Sequence, residues 1–67
     1  MADFVLRTSS GMVKGYTAVQ EGYDSCRSDL ISAVRSGQSV NTEYRTIEQI
    51  ERVSGRLPDD VRSKLGF

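Results

Sequence analysis

Residues Met12 to Ala33 read MVKGYTAVQEGYDSCRSDLISA, and how this stretch is divided decides the fold. Apolar or small side chains stand at Met12, Tyr16, Val19, Tyr23, Cys26, Leu30 and Ala33, spaced four, three, four, three, four, three. That spacing is a heptad seam, and a helix carrying one has to bury it against another helix. Ser9 or Ser10 can cap the helix and Gly37 can end it with a left-handed residue, which predicts one helix over about 10–36, roughly 40 Å long. Gly15 and Gly22 fall inside it, each costing about 1 kcal/mol against alanine. Seven residues apart beside the seam, they read as small residues that let a partner backbone come close. The competing division breaks the stretch at Gly15 and pairs Phe4–Thr8 with Met12–Thr17 as a β-hairpin around Ser9-Ser10-Gly11. The uninterrupted seam favours the continuous helix.

Working outward, residues 1–8 read as an extended arm whose adhesive part is Phe4-Val5-Leu6, and residues 9–67 as one small helical domain. Gln38 to Asn41 is a connector, after which Asn41 or Thr42 can cap a second helix over about 42–54. Tyr44, Ile47, Ile50 and Val53 give that helix an apolar face, and Gly55 stops it. Pro58 suits the first turn of a short third helix over about 58–65, with Asp59 and Asp60 at its positive end, Lys64 in its last turn and Gly66 beyond. The fold class expected is therefore all-α: a long helix, an antiparallel return helix and a short cap.

Helix lengths turn this into an expectation about association. A return helix of about 13 residues, ~20 Å, covers only half of the first helix. The end bearing Met12, Tyr16 and Val19 then stays bare, and exposed contiguous apolar surface marks an interface. Met12, Gly15, Tyr16, Val19, Gly22 and Tyr23 are the candidate protein-interface residues. The expected partner is a second copy in a homo-oligomer, or a larger assembly on which the chain docks as a small subunit, adaptor or inhibitor. The intramolecular alternative folds the arm back, so that Phe4 to Leu6 cover the same end.

Composition narrows the chemistry. A chain of 67 residues buries only roughly 60% of the surface its unfolded form exposes, and such scaffolds lean on disulfides, metals or partners. One cysteine excludes an intrachain disulfide, and with no histidine a lone thiol cannot build a zinc site, so neither metal nor cofactor is expected. Nine basic residues balance nine acidic ones, four of each through Gly37 and five of each after it, which weighs against nucleic acid as a partner. The longest apolar run, Phe4-Val5-Leu6, is far short of the ~20 residues of a membrane span. An acidic Met1-Ala2-Asp3 start is unlike a secretory signal, and the expected location is cytoplasmic.

No residue set argues for catalysis. Cys26 lies on the seam, where a thiol acts as a small apolar side chain, and no histidine is present to activate it. Glu48 with Glu51, and Asp59 with Asp60, are paired carboxylates, but nearby arginines and a helix start account for them as ion pairs and caps. Phosphate-binding glycine loops and calcium loops are missing. Tyr16, Tyr23 and Tyr44 read as packing aromatics rather than a base-stacking platform. Phe67 either enters a partner pocket or packs back across Gly66, the second being favoured. The expectation is a non-enzymatic protein-interaction module.

One stretch suggests another class. Thr46 to Leu65, TIEQIERVSGRLPDDVRSKL, resembles a helix-turn-helix, with the turn at Gly55 and Val61 packing back on the first helix. The resemblance implies that Arg56, Arg62 and Lys64 face DNA. Glu51 departs from that pattern where a small residue is usual, and Asp59 and Asp60 bring the wrong sign to phosphates.

Overall fold

The computed structural model describes residues 2–66, so Phe67 and the two readings of it lie outside the described residues. The chain runs β1 (Phe4–Thr8), β2 (Val13–Tyr16), α1 (Gln20–Arg35), β3 (Val40–Glu43), α2 (Ile47–Val53), a 3-10 turn (Ser54–Arg56) and α3 (Asp59–Lys64). The expected all-α class is therefore wrong: three helices pack on one face of a three-stranded antiparallel sheet of order β2-β1-β3.

The expected first helix fails at its N-terminal third, and the hairpin division is the one adopted. Thr8 N–H donates to the Met12 carbonyl at 3.0 Å and Gly11 N–H to the Thr8 carbonyl at 3.0 Å, with Gly11 at φ +96. This is a three-residue hairpin loop in which only a glycine takes the left-handed position without strain. Pairing Phe4 with Tyr16 and Leu6 with Lys14 puts Phe4, Leu6 and Tyr16 on one face, where all three are buried. A helix over the same residues would have left the backbone of Phe4 to Leu6 without a paired strand, and would have kept Gly15 at full cost.

Helix α1 then starts at Gln20 and buries Tyr23, Cys26, Leu30, Ala33 and Val34. Its end is the one expected: Gly37, at φ +84, donates to the Val34 carbonyl and Gln38 N–H to the Ala33 carbonyl, both at 3.0 Å. That pair of hydrogen bonds closes the helix as a Schellman motif. Downstream, the expected helix over 42–54 is split. Val40–Glu43 pair with β1 as a strand, Val5 opposite Glu43 and Thr8 opposite Val40. The helix begins only at Ile47, where Thr46 Oγ1 accepts Gln49 N–H at 3.2 Å and Gln49 Oε1 accepts Arg45 N–H at 2.8 Å. Such a reciprocal cap is a variant of the capping box. Its buried face is Gln49 and Val53, whereas Ile47 and Ile50, expected to be inward, are 75% and 45% exposed. The third helix matches its expected range closely, with Gly66 at φ +85 past its end. Val53, Leu57 and Val61 join Phe4, Leu6, Tyr16, Tyr23, Cys26, Leu30 and Val34 in a single core between sheet and helices.

Candidate interaction surface

The expected interface residues are dispersed by this fold. Tyr16 on β2 and Tyr23 on α1 are brought together, but around Phe4, whose ring lies 5.5 Å from each, centroid to centroid. Both tyrosines are 5% exposed. Met12 packs partly buried on the core, and Val19, at the start of α1, is 52% exposed. The close approaches that Gly15 and Gly22 permit are within the chain: a Cβ on Gly15 would strike Ala2, and one on Gly22 the Thr17 carbonyl oxygen. The bare end of the seam is thus closed by the arm, in the form of strand β1. Among the described residues the other exposed large apolar side chains are Val13, on the open face of the sheet, and Ile47 and Ile50, on α2.

A polar cluster ties β2 to α1. Asp29 Oδ2 accepts the Tyr16 hydroxyl at 2.7 Å and the Lys14 ammonium at 3.0 Å. Burial opposes the charge on Asp29, yet the Tyr16 and Lys14 hydrogen bonds outweigh it and hold the carboxyl below its ordinary range. Burial, and then the Asp29 hydrogen bond, pushes the Tyr16 hydroxyl well above its usual value. Burial likewise pushes the Cys26 thiol up to about 12, aided by Asp29. A thiol held protonated in a core is a packing group rather than a nucleophile. Among the described residues, no group of three or more acidic, cysteine or histidine side chains could hold a metal ion.

Arg56, Arg62 and Lys64 do not converge on one surface. Arg56 lies close enough to Asp24, in the first half of α1, to lower its carboxyl behind the hydrogen bonds from Gln20 and Arg27. Lys64 lines a groove with Val34 and Gly37, beyond the opposite end of that helix. Arg62 and Lys64, two residues apart on α3, point about 200° from each other. Asp60 at the start of α3 is held by the Arg35 guanidinium at 3.1 and 3.2 Å, so acids occupy the position a DNA-reading helix gives to base contacts.

The two edges of the sheet are treated differently. On β2, Lys14 points to the helical face beside Leu6 and reaches Asp29 on α1. Inward-pointing charge is among the devices that stop an edge from pairing with another chain. Strand β3 carries no charge on its helical side. Residues 40–44 read VNTEY, with Val40, Thr42 and Tyr44 alternating on the helical side. Ser9 N–H donates to the Ser39 carbonyl at 2.9 Å, which sets the phase of the ladder. Antiparallel alternation then turns the Asn41 and Glu43 backbone groups toward β1, and those of Val40 and Thr42 toward the free edge. Among the described residues that edge pairs with nothing. Beside it, a groove of about 240 Å³ is lined by Leu30, Val40, Thr42, Tyr44, Ser54 and Leu65. A second, of about 340 Å³, continues past Val40 and Leu65 toward Gly37 and Lys64.

Sequence reasoning missed Val40 and Thr42, assigning one to a connector and the other to a helix cap. The signal for a strand was present in the alternation of β-branched and aromatic residues through VNTEY. Comparison with known proteins returns no matching family, no curated relative and no solved structure. The site is therefore read from its geometry alone.

Proposed function

We propose that this chain is a non-enzymatic protein-interaction module that engages its partner by strand pairing at the free edge of β3. The observation that carries the reading is the contrast between the two edges, one guarded by the inward-pointing Lys14, the other open along Val40 and Thr42. An added strand would gain main-chain hydrogen bonds from Val40 and Thr42, and its alternate side chains would face the groove walled by Leu30 and Leu65. This is the physics of β-augmentation, in which backbone bonds supply affinity and pockets for alternate side chains supply selectivity. The partner is another copy of the chain or a larger assembly. No helix among the described residues is long and apolar enough to cross a membrane, and a free buried cysteine suits a reducing, cytoplasmic setting.

The test is selection of displayed peptides on the immobilised chain, with Thr42→Pro as the control. Proline at 42 removes an N–H that faces the free edge and none that faces β1, so circular dichroism should be unchanged. Selected peptides should shift the Val40 and Thr42 amide resonances and lose binding on Thr42→Pro. Selected peptides that bind Thr42→Pro equally well, or the absence of any binder, would refute strand pairing at this edge.

A further inference from the structure

Resting on that reading, we propose that the strand added to β3 is the β3 of a second copy, related by a twofold axis through Thr42, so that two three-stranded sheets join as one of six strands. Only residues whose backbone groups face the free edge can pair across it, which restricts the register to even offsets. Three such registers are central to the strand. Centring on Glu43 would set Glu43 opposite the partner's Glu43, and like charges directly opposite are destabilising. Centring on Asn41 would set Glu43 opposite the partner's Ser39 and Val40 opposite the partner's Thr42. Centring on Thr42 sets Asn41 opposite the partner's Glu43, an amide donor facing a carboxylate, and Val40 opposite the partner's Tyr44. Thr42 then meets the partner's Thr42, a favourable cross-strand pair. Both matches occur twice by symmetry, as an isologous contact requires.

The outer face supports this register. Arg7 is the direct neighbour of Asn41 on β1, and its Nε reaches Glu43 Oε1 at 3.4 Å. Across the axis, each Asn41 sits between its own Arg7 and the partner's Glu43, so cation, amide and anion alternate along one row. On the helical side the partner's Val40 and Thr42 enter beside the groove of about 240 Å³ that β3 shares with Ser54 and Leu65. A four-residue strand makes a small interface, so the association is concentration-dependent rather than permanent.

The experiment is light scattering of the full chain under reducing conditions over a series up to millimolar, joined to cysteine cross-linking. The expected mass rises from 7.4 kDa toward twice that value, and Thr42→Pro raises the dissociation constant at least tenfold while keeping its circular dichroism. Thr42→Cys should cross-link to itself on mild oxidation, because paired Cα atoms at about 5.5 Å lie within disulfide reach, whereas Asn41→Cys should not, its counterpart being displaced by two residues. A chain that stays monomeric throughout overturns the second copy as occupant, and the displayed-peptide test then decides strand pairing separately. A dimer unaffected by Thr42→Pro overturns both. A dimer in which Asn41→Cys cross-links faster than Thr42→Cys overturns the register.

Discussion

Gly22→Ala is the substitution on which sequence and structure disagree in sign. Gly22 lies in the first turn of α1, and an alanine in a helix interior ordinarily stabilises by about 1 kcal/mol over glycine. In the folded chain, however, the added methyl would land on the Thr17 carbonyl oxygen, with the Thr17 carbonyl carbon 2.9 Å and its nitrogen 3.2 Å away. These are backbone atoms, and they are tethered. Thr17 O accepts Val19 N–H at 2.8 Å, and the other side of the same peptide group is held by Asp3, whose Oδ2 accepts Ala18 N–H at 2.7 Å. Relieving the overlap means moving the β2–α1 connection or tilting the helix start, and forced backbone shifts of that kind cost about 1–3 kcal/mol. Set against the propensity gain, the net change is a loss of up to about 2 kcal/mol. With a urea slope of about 1 kcal/mol/M for a domain of this size, the midpoint should fall by up to roughly 2 M. Gly55→Ala is the control, since its nearest neighbour, Glu51 Cβ, would be 3.9 Å from the new methyl and its φ is not in the left-handed region. That variant should be neutral or slightly stabilised. Urea unfolding of the three proteins, followed by circular dichroism, makes the comparison. A Gly22→Ala protein stabilised by about 1 kcal/mol, the gain that helix propensity alone would give, would refute the packing of Thr17 against α1 and with it the hairpin-to-helix connection.

Alkaline titration tests the buried thiol. Because the folded chain holds the Cys26 proton up to about 12 against an ordinary value of 9.0, stability should fall as pH rises above 9.0, the folded state being the one that binds the proton. Tyr16, whose ordinary value is 10.0, adds to the decline at higher pH in the same direction, so Cys26→Ala should flatten the stability profile between the two and make the fall above it shallower than the parent's. A parent profile as flat as that of Cys26→Ala would show the thiol to be solvated. Thr46→Ala, which removes the side-chain cap on Gln49 N–H, should cost about 1 kcal/mol in thermal or urea unfolding; no loss would place the start of α2 elsewhere. Amide hydrogen exchange on dilute protein should find Val40 and Thr42 fast and Asn41 and Glu43 protected, and the opposite alternation would invert the phase of the β1–β3 ladder.

The heptad seam misled for a specific reason. A spacing of four places two residues on one face of a helix and on one face of a strand alike, so Met12 and Tyr16 satisfied both periods. Only the step of three from Tyr16 to Val19 distinguished them, and Val19 is the seam residue left 52% exposed. From Tyr23 onward the same pattern is helical and buried, and Cys26, Leu30 and Ala33 lie where the periodicity put them. In α2, the apolar look of Ile47 and Ile50 drew the helix face one way, while the hydrogen bonds of Gln49 turned it the other. A buried glutamine is legible only once its partner, the Arg45 N–H, is placed.

Local chemistry was enough to determine the stops and the short elements: Gly37 ending α1, Gly66 following α3, Pro58 opening it, and Ser9-Ser10-Gly11 as a turn if the chain reversed there. Those depend on backbone conformations that few residues adopt, so the residue type is itself the signal. Composition likewise ruled out a disulfide framework and a zinc site. The tertiary structure alone decided that the chain reverses at Gly11, because the choice between helix and hairpin rests on burying Phe4 and Leu6 against residues more than ten positions away. It alone decided that the arm, not a partner, covers Tyr16 and Tyr23. The open edge of β3 has the same origin, since which strand lies at the border of a sheet is a property of strand order, and order is set by long-range packing rather than by any local run of residues.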